Sequence, residues 1–560
     1  MPEQLLPVID APGGPLSEEE HAARAQAMDA APVVFDVEAY VEDFNRSVVG
    51  AYRRGIADVE LPADSGVARS IIPPGTAAVR DFSNLSAHIP QFIAEQCVGC
   101  MACVSACPDT AILAVAVPET ELEPAIGAFA WKRADGARTA ETASSHFVRT
   151  RKYADVPARK GIEPAMFGIF VDPQHCKGCA ECVDVCKAEG HDALIMIDKV
   201  AQEPSGDSTL ERYRRDFSFF RSLPPTPPEY RNEKALADLM LGEQALGYVG
   251  GAGSCAGCGE ASAVRMLVAA TRQVHGPDSM GIVAETGCNT VYGSTYPFNP
   301  YLVPWTNSLF ENGPADAMGV RLRWDQAGHP ERRLWVFGGD GAMYDIGFQS
   351  LSRMVASGAD IKVLVLDTQV YSNTGGQSST ASYGGQVTKL SAFGKAIHGR
   401  PERRKELGLI MMAHRDVYVA STTPAHYNHF YRAVMEANEY PGPAVIVAYT
   451  PCMPEHGIAD DAASRQAKLA VDSRAFPLFT YDPRRGETMA KRLSLQGNPN
   501  VKEDWSKLPD GTQFDFLDFA KTEGRFSQHF RDGTPSAEIL ATRDERLEYW
   551  QLLQELAGIR

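Results

Sequence analysis

Twelve cysteines carry most of the chemical information in this sequence of 560 residues. Eight of them fall into two runs that share the spacing C-x2-C-x2-C-x3-C. The runs are Cys97, Cys100, Cys103 and Cys107, followed by Cys176, Cys179, Cys182 and Cys186. Thiolates bind soft metals and iron–sulfur clusters, and clustered cysteines in a reducing compartment usually indicate metal binding or catalysis. The repeated spacing therefore predicts two metal centres of one kind.

The spacing also favours one kind of centre. Two such runs are typical of bacterial ferredoxins with two [4Fe–4S] clusters, in which the fourth cysteine of each run binds the other cluster. A pair of structural zinc sites is the alternative, but zinc ligands usually divide into two C-x-x-C knuckles. We expect two cubanes, cluster A on Cys97, Cys100, Cys103 and Cys186, and cluster B on Cys176, Cys179, Cys182 and Cys107.

The remaining cysteines are Cys255, Cys258, Cys288 and Cys452. The first two lie in a glycine-rich loop, GSCAGCGEAS (253–262), and the other two are distant in sequence. On spacing alone, this C-x-x-C pair fits a redox dithiol, half of a zinc site or two of four iron–sulfur ligands.

A different motif indicates a diphosphate site. The segment WVFGGDGAMYDIGF (335–348) reads as a strand that leads through Gly339, Asp340 and Gly341 into a helix, predicted over 342–357. The glycines allow the backbone to approach a ligand closely, and a helix N-terminus favours phosphate. Asp340 can hold Mg²⁺, which proteins typically bind through one or two carboxylates plus substrate phosphates. An ordinary Asp-Gly turn is the alternative.

The following strand strengthens the diphosphate interpretation. The segment IKVLVLDTQVYSNTGGQSS (361–379) supplies Thr368, the carbonyl group of Val370 and Asn373. Ligands of open parallel sheets bind at the carboxyl ends of the strands, where these residues would lie. The two segments together predict thiamine diphosphate (TPP) with Mg²⁺.

Six segments, in chain order, carry a family resemblance: SCAGCGE, ETGCNTVYGSTYP, NSLFENGPADAMG, GGDGAMYDIGF, LVLDTQVYSNTGGQSS and AYTPCMPEHGI. They resemble the TPP-binding part of the pyruvate:ferredoxin oxidoreductases, within the 2-oxoacid:ferredoxin oxidoreductase family. The resemblance implies a third [4Fe–4S] cluster beside TPP, cluster C, on Cys255, Cys258, Cys288 and Cys452. It further implies Mg²⁺ on Asp340, Thr368 and Val370, cofactor contacts from Gly339, Gly341 and Cys288, and Asn373 as the catalytic residue near the reacting carbon.

The resemblance also implies an activity. It is the oxidative decarboxylation of a 2-oxoacid, with transfer of the acyl group to coenzyme A and of electrons through the clusters to ferredoxin or flavodoxin. Pyruvate is the expected substrate, and 2-oxoglutarate or another 2-oxoacid is the alternative. An electron-transfer module without its own catalysis represents a different class. His456, after the last cysteine, is expected to be structural.

The family's domains that hold the pyrimidine ring, the substrate and coenzyme A have no counterpart in this sequence. We therefore expect a subunit that is active only with a second chain, in a hetero-oligomer with two copies of each. A net charge of −17 argues against nucleic acid as the main partner. We found no signal peptide and no apolar run of membrane-spanning length, so the expected location is the cytoplasm.

Short apolar runs alternate with helical patterns after residue 245, which favours an α/β fold with a parallel sheet. The predicted strands are MGIVAE, RLWVFGG, IKVLVLD, VYVAS and PAVIVAY. A bacterial-type two-[4Fe–4S] ferredoxin-like domain precedes this TPP-binding domain. The expected divisions are an N-terminal extension with a candidate helix at 36–55 (1–75), the ferredoxin-like domain (76–215), a linker (216–244), the TPP/Mg²⁺ domain with cluster C (245–470) and an arm laid over a partner (471–560).

Overall fold

The computed structural model describes residues 74–560, apart from 134–135, 203–207, 242–246, 296–297 and 509, together with a few isolated residues before position 74. The candidate helix at 36–55 lies largely outside the described residues. Residues from Ser70 to Arg560 form one unit, which contains all twelve cysteines.

The ferredoxin-like part consists of antiparallel strands and short helices. Its strands are β1 His88–Phe92, β2 Ile112–Pro118, β3 Phe147–Arg149, β4 Ala165–Val171 and β5 Leu194–Asp198. Strands β2 and β3 both pair with β4, and β1 pairs with β5. Its helices are Ala102–Ala106, Glu119–Trp131, Gly136–Ser145, Val156–Arg159, Glu181–Ala188, Thr209–Phe220 and Leu236–Leu239. The helices Ala102–Ala106 and Glu181–Ala188 pack against each other, and this contact brings the two cysteine runs side by side.

An eight-stranded sheet forms the second part. Its strands are β6 Met280–Glu285, β7 Trp305–Ser308, β8 Arg333–Gly339, β9 Ile361–Asp367, β10 Tyr418–Thr422, β11 Ala444–Tyr449, β12 Phe479–Tyr481 and β13 Leu493–Ser494. The strand order is β13-β12-β10-β11-β9-β8-β6-β7. The six strands from β10 to β7 run parallel, and β12 and β13 add antiparallel strands at one edge. The predicted α/β class is confirmed.

Helices cover both faces of this sheet, which is why its central strands are continuous apolar runs. Alternate residues of a strand face opposite sides. On β8, Trp335 and Phe337 belong to one core, whereas Leu334 and Val336 belong to the other. The main helices of this part are Gly259–His275, Cys288–Ser294, Gly313–Gln326, Phe348–Ala356, Leu407–Met412, Tyr427–Glu439, Met453–His456 and Ala463–Asp472.

The ferredoxin-like part and the sheet share one hydrophobic core. This core joins Phe167 and Phe219 of the first part to Trp335 and Phe337 of the sheet. The structure therefore differs from the expected linker at 216–244. The expected boundary after residue 215 falls inside the helix Thr209–Phe220, and Leu236, in the middle of that segment, is buried in the shared core.

The C-terminal segment also differs from the expected arm. Strands β12 and β13 extend the chain's own sheet, and the helix Ala537–Leu556 buries Trp550 and Leu553 in the second core. The segment further contains β14 Ser506–Lys507, β15 Gln513–Phe514 and the helices Met489–Arg492 and Phe516–Ala520. The apolar residues of this segment are widely spaced in sequence, but they pack into the second core of the same chain. Among the described residues, no helix combines the length and apolar character that crossing a bilayer requires.

Candidate functional site

The candidate site lies where four neighbouring parallel strands end. Strands β11, β9, β8 and β6 are adjacent in the sheet in that order. Shortly beyond their carboxyl ends the chain reaches Cys452, Thr368, Asp340 and Cys288, respectively. Because parallel strands end at the same edge of a sheet, four segments that are distant in sequence meet here.

Two adjacent clefts open at this edge. The first, of about 270 Å³, is lined by all of the residues predicted for the cofactor: Gly339, Asp340, Gly341, Thr368, Val370, Asn373 and Cys288. The second, of about 190 Å³, is lined by the four remaining cysteines, Cys255, Cys258, Cys288 and Cys452. The residues common to both clefts are Glu260, Cys288, Thr368, Ser372 and Asn373. These five side chains form a shared wall between the clefts.

Asp340 has the properties of a cation ligand. Its side chain is buried, and Thr368 Oγ1 lies 3.0 Å from its Oδ1. Its Oδ2 has no hydrogen-bond partner among the described residues. Burial, and after it the charge of Asp367, raises the pKa of Asp340 well above its usual value. An unpaired buried carboxylate oxygen is costly, and a divalent cation would supply its missing partner.

Thr368 and Val370 lie together with Asp340. Thr368 Oγ1 is 3.0 Å from the carbonyl oxygen of Val370 as well as from the Asp340 carboxylate. Gln369, between the two residues, has a φ of 60°, and this left-handed conformation reverses the chain there. The three predicted Mg²⁺ ligands are thus part of one hydrogen-bonded group.

The chain after β8 is irregular where a single helix was expected. Residues Gly341–Ile346 form a π-type turn, in which the Gly347 amide donates to the carbonyl of Ala342 at 2.7 Å. The regular helix follows at Phe348–Ala356. A Cβ at Gly341 would lie 2.8 Å from the Tyr371 ring, so glycine is needed for the close approach of the segment after β9. Single π-turns are frequent at functional sites.

His456 holds the end of β9, in keeping with the structural role expected for it. It is fully buried, and its Nε2 lies 2.7 Å from the carbonyl oxygen of Thr368. A carbonyl oxygen only accepts hydrogen bonds, so Nε2 carries a proton. Burial, and then the charge of Arg525, lowers the pKa of His456 well below its usual value. His456 is therefore a neutral hydrogen-bond donor that fixes Thr368.

A buried ion pair between Asp367 and Arg404 supports the strand end that carries Thr368. Both side chains are almost fully buried, and the Tyr344 hydroxyl donates to Asp367 Oδ2 at 2.7 Å. We expect Arg404→Met to destabilise the protein by about 3–5 kcal/mol because it leaves Asp367 as an uncompensated buried charge. Urea unfolding followed by circular dichroism would measure this loss.

The neighbouring Arg403 provides a matched control. Its ion pair with Glu548 is largely exposed, and such pairs contribute about 0–1 kcal/mol. Arg403→Met should therefore unfold at nearly the same urea concentration as the unmodified protein. Equal unfolding midpoints for the two variants would contradict a supporting role for Arg404.

The two ferredoxin-like runs fold into matching loops. Positive φ angles occur at the same two positions of each run, at Gly99 and Met101 and again at Gly178 and Ala180. In the first loop the Gly99 amide donates to Cys97 Sγ at 3.4 Å. Amide hydrogen bonds to ligating sulfur are part of how proteins hold and tune iron–sulfur clusters. The duplication in sequence is thus a duplication of loop geometry.

Interactions between thiols identify which cysteines lie together. After burial, like charges raise the pKa of Cys103, and they come from Cys100, Cys97 and Cys186. The pKa of Cys182 is raised in the same way by burial and then by Cys179, Cys176 and Cys107. For Cys288 the pKa is raised by burial, by Glu260 and then by Cys258, Cys452 and Cys255. Thiols of each predicted quartet are thus neighbours, and the charge of Cys103 also acts on Cys182 because the two runs pack against each other. The assignment of each quartet to its own cluster stays a prediction.

Within the described part of the chain, no three histidine, cysteine, aspartate or glutamate side chains converge closely enough to hold one metal ion. Zinc would require its sulfur ligands about 2.3 Å from a common centre. The choice of a [4Fe–4S] cluster over zinc for each quartet stays a prediction.

Two residues of the site were missed by sequence reasoning. Glu260 lies on the shared wall, with the Tyr292 hydroxyl 3.3 Å from its carboxylate, and burial raises its pKa to about 8. Ser372 donates to Thr368 Oγ1 at 2.8 Å and lines both clefts. An acidic residue in the first turn of the mostly apolar helix after Cys258 was the available signal for Glu260.

Comparison with known proteins gives two domain matches. Residues 285–448 match the thiamine pyrophosphate enzyme, C-terminal TPP binding domain, and residues 90–113 match the 4Fe-4S binding domain. A probable pyruvate-flavodoxin oxidoreductase of Escherichia coli (strain K12) is 30% identical over 538 residues, which cover 84% of this chain and 42% of that protein. A pyruvate:ferredoxin oxidoreductase of Moorella thermoacetica is 29% identical over 581 residues, covering 89% of this chain and 44% of that protein.

The chain is similar in sequence to these pyruvate:ferredoxin and pyruvate-flavodoxin oxidoreductases, and it contains a TPP-binding domain and a 4Fe-4S binding domain. It spans less than half the length of these two relatives. The TPP-domain match spans the positions of Cys288, Asp340 and Thr368. A 2-oxoglutarate:ferredoxin oxidoreductase from Magnetococcus marinus is similar in structure over 36% of this chain and 64% of that chain, with 21% identity and a TM-score of 0.32.

Proposed function

We propose that this chain carries the TPP, the Mg²⁺ and the three [4Fe–4S] clusters of a 2-oxoacid:ferredoxin oxidoreductase. The shared wall is the observation that carries the proposal, because Cys288 and Asn373 line both the cofactor cleft and the four-cysteine cleft. Bound TPP supplies an electron sink for the decarboxylation of a 2-oxoacid. One layer of side chains would separate that chemistry from cluster C.

In this proposal the chain's own residues hold and orient the reactants. Asp340 Oδ2, the Thr368 hydroxyl and the Val370 carbonyl bind Mg²⁺, with Ser372 and His456 fixing Thr368. Gly339 and Gly341 let the backbone approach the diphosphate. Asn373, on the shared wall, offers an amide that can donate a hydrogen bond to the reacting substrate.

Electrons would leave on the side of cluster A. Three of the four cysteines proposed for cluster B are buried, whereas Cys100 of cluster A is exposed. Clusters C, B and A would then form a path from the cofactor cleft to the surface, where ferredoxin or flavodoxin accepts the electrons. All twelve cysteines are free of disulfides, which suits a reducing compartment and supports the cytoplasm as the proposed location.

A second polypeptide would cover the clefts. Large apolar side chains are exposed beside them, with Leu309 57%, Ile346 53% and Val291 43% exposed. Ile346 lines the cofactor cleft and Val291 lines the four-cysteine cleft. An exposed apolar patch rimmed by polar residues usually marks a protein interface. The partner would contribute the remaining cofactor contacts and the coenzyme A site, in an assembly with two copies of each chain.

Pyruvate is the proposed substrate, because both relatives are named for it. We expect the complex, purified anaerobically with the chain that binds to it, to reduce a viologen dye with pyruvate and coenzyme A. The other 2-oxoacids of a test panel should react at least about tenfold more slowly, which corresponds to about 1.4 kcal/mol in the barrier. The isolated chain should reduce no dye.

Three outcomes would change this proposal. A higher rate with 2-oxoglutarate would reassign the substrate. Turnover by the isolated chain would remove the need for a partner. Failure of the complex to bind TPP would leave an electron-transfer module.

A further inference from the structure

A buried ion pair joins the two cysteine runs beside proposed cluster B. Lys177 directly follows Cys176, and Asp109 comes two residues after Cys107, so both residues flank cysteines assigned to cluster B. Lys177 Nζ lies 2.6 Å from Asp109 Oδ1, and the two side chains are only 4% and 3% exposed. Burying two charges is costly unless they are paired and fully hydrogen-bonded, which makes this pair conspicuous.

The same ammonium group reaches the loop of cluster C. Lys177 Nζ donates to the carbonyl oxygens of Ala252 and Ser254 at 2.9 Å and 2.7 Å, and it lies 3.0 Å from Ser254 Oγ. Ser254 directly precedes Cys255. An ammonium group has three protons to donate. The Asp109 carboxylate and the carbonyl oxygens of Ala252 and Ser254 accept all three. Lys177 therefore binds both cluster loops at once.

A second buried cation makes a separate connection between these regions. Arg265, in the helix that follows Cys258, donates from Nη1 to the carbonyl oxygens of Val104 and Cys107 at 2.7 Å and 2.9 Å. In the same helix, Ser262 donates to the carbonyl of Ala106 at 3.1 Å. These contacts do not involve Lys177. The two regions should consequently stay together when Lys177 is changed.

Lys177 also places a positive charge beside residues that flank the cysteines proposed for clusters B and C. Each cluster gains negative charge when it accepts an electron, and a nearby ammonium group stabilises that charge strongly where water is excluded. Asp109 opposes this effect with its negative charge. Net charge and hydrogen bonding near a cluster are among the factors that set its reduction potential.

We propose that Lys177 is a positioning residue that sets the reduction potentials of clusters B and C together, with Asp109 as its counter-charge. The inference rests on the proposed function, because it requires a cluster on each of the two quartets. In this proposal Lys177 keeps the reduction potential of cluster C, beside the cofactor, matched to that of cluster B, the next cluster along the path.

The test is an anaerobic redox titration of the complex, followed by electron paramagnetic resonance. In Lys177→Met, the ratio of reduced to oxidised cluster at a fixed ambient potential should fall about tenfold for clusters B and C, equivalent to about 59 mV for a one-electron couple. Asp109→Asn should shift both ratios in the opposite direction. Lys177→Arg, which keeps the charge, should stay near the unmodified protein, and cluster A serves as the internal reference.

Lys362→Met is the matched control. Lys362 is also a fully buried lysine that donates to a backbone carbonyl, that of Gly442 at 2.8 Å, but it lies at the amino end of β9, opposite the site. Its loss should leave all cluster potentials unchanged. If Lys177→Met loses a cluster on purification, the potentials of clusters B and C in Asp109→Asn and Lys177→Arg still test the inference.

The possible failures are distinguishable. Unshifted potentials in Lys177→Met and Asp109→Asn, with three clusters present, would overturn this inference and leave the proposed function intact. A shift of cluster B alone would also overturn it, since the inference requires both clusters to respond. Fewer than three clusters in the unmodified protein would overturn the proposed function itself.

Discussion

Asp340→Asn should weaken the Mg²⁺-dependent binding of TPP by at least about 100-fold, and turnover should fall with it. Loss of a residue that merely supports a metal ligand already costs about 10–100-fold in affinity, and Asp340 is proposed as a direct ligand. The substitution keeps the shape of the side chain but removes the only carboxylate among the three proposed ligands. Isothermal titration calorimetry with TPP, in the presence and absence of Mg²⁺, would measure the loss.

The fold should tolerate this change. Asp340 is buried with an unpaired Oδ2, so a neutral amide avoids the cost of a buried charge in the metal-free protein. Asp325→Asn is the control, because Asp325 is half exposed and pairs with Arg321 on the helix Gly313–Gln326. Unchanged TPP affinity in Asp340→Asn would refute the assignment of this carboxylate to Mg²⁺.

Cys258→Ser should remove cluster C and leave TPP bound. Iron should fall from about 12 to about 8 atoms per chain if each cluster holds four. TPP binding should persist because Cys258 does not line the cofactor cleft. Reduction of ferredoxin with pyruvate and coenzyme A should fall at least about 100-fold, since electrons lose their first acceptor. Iron analysis, calorimetry and the coupled assay measure these three effects.

Cys186→Ser is the matched comparison, because it removes a ligand of cluster A instead. Iron should fall by the same amount, and ferredoxin reduction should decline. Reduction of a small viologen dye should persist, because clusters C and B remain. Zinc in the unmodified protein, with loss of zinc rather than iron in Cys258→Ser, would contradict a cubane on that quartet.

The central sheet was predictable because its strands are buried on both faces. Three predicted strands coincide with β6, β8 and β9 to the residue, and two others lie within one residue of β10 and β11. The four strand ends that meet at the clefts follow from this topology. Gly339, Asp340 and Thr368 could be predicted as candidate site residues because each lies in a recognisable motif at the carboxyl end of a predicted strand.

Other features depend on contacts that sequence patterns do not report. The expected linker at 216–244 contains the proline-rich run SLPPTPPEYR (222–231), yet Tyr230 in this run is buried and its hydroxyl donates to the carbonyl of Glu163 at 2.7 Å. The prolines of this segment lead into a short turn at Pro228–Tyr230 that packs against the protein. Lys177 also escaped notice, because a lysine between two cysteines usually remains in solvent. Its partners Asp109 and Ser254 are 68 and 77 residues away.

The core shared by the ferredoxin-like part and the sheet has a consequence for electron flow. Tunnelling rates fall steeply with distance, and carriers on separate domains usually need a swinging or docking motion to come within range. Among the described residues between the two parts, Tyr230 and Leu236 are buried in the shared core, so the gaps along the proposed path would be set when the protein folds. Internal transfer would then proceed without diffusion of any carrier, and the encounter with the external acceptor would be the first step that solvent viscosity slows.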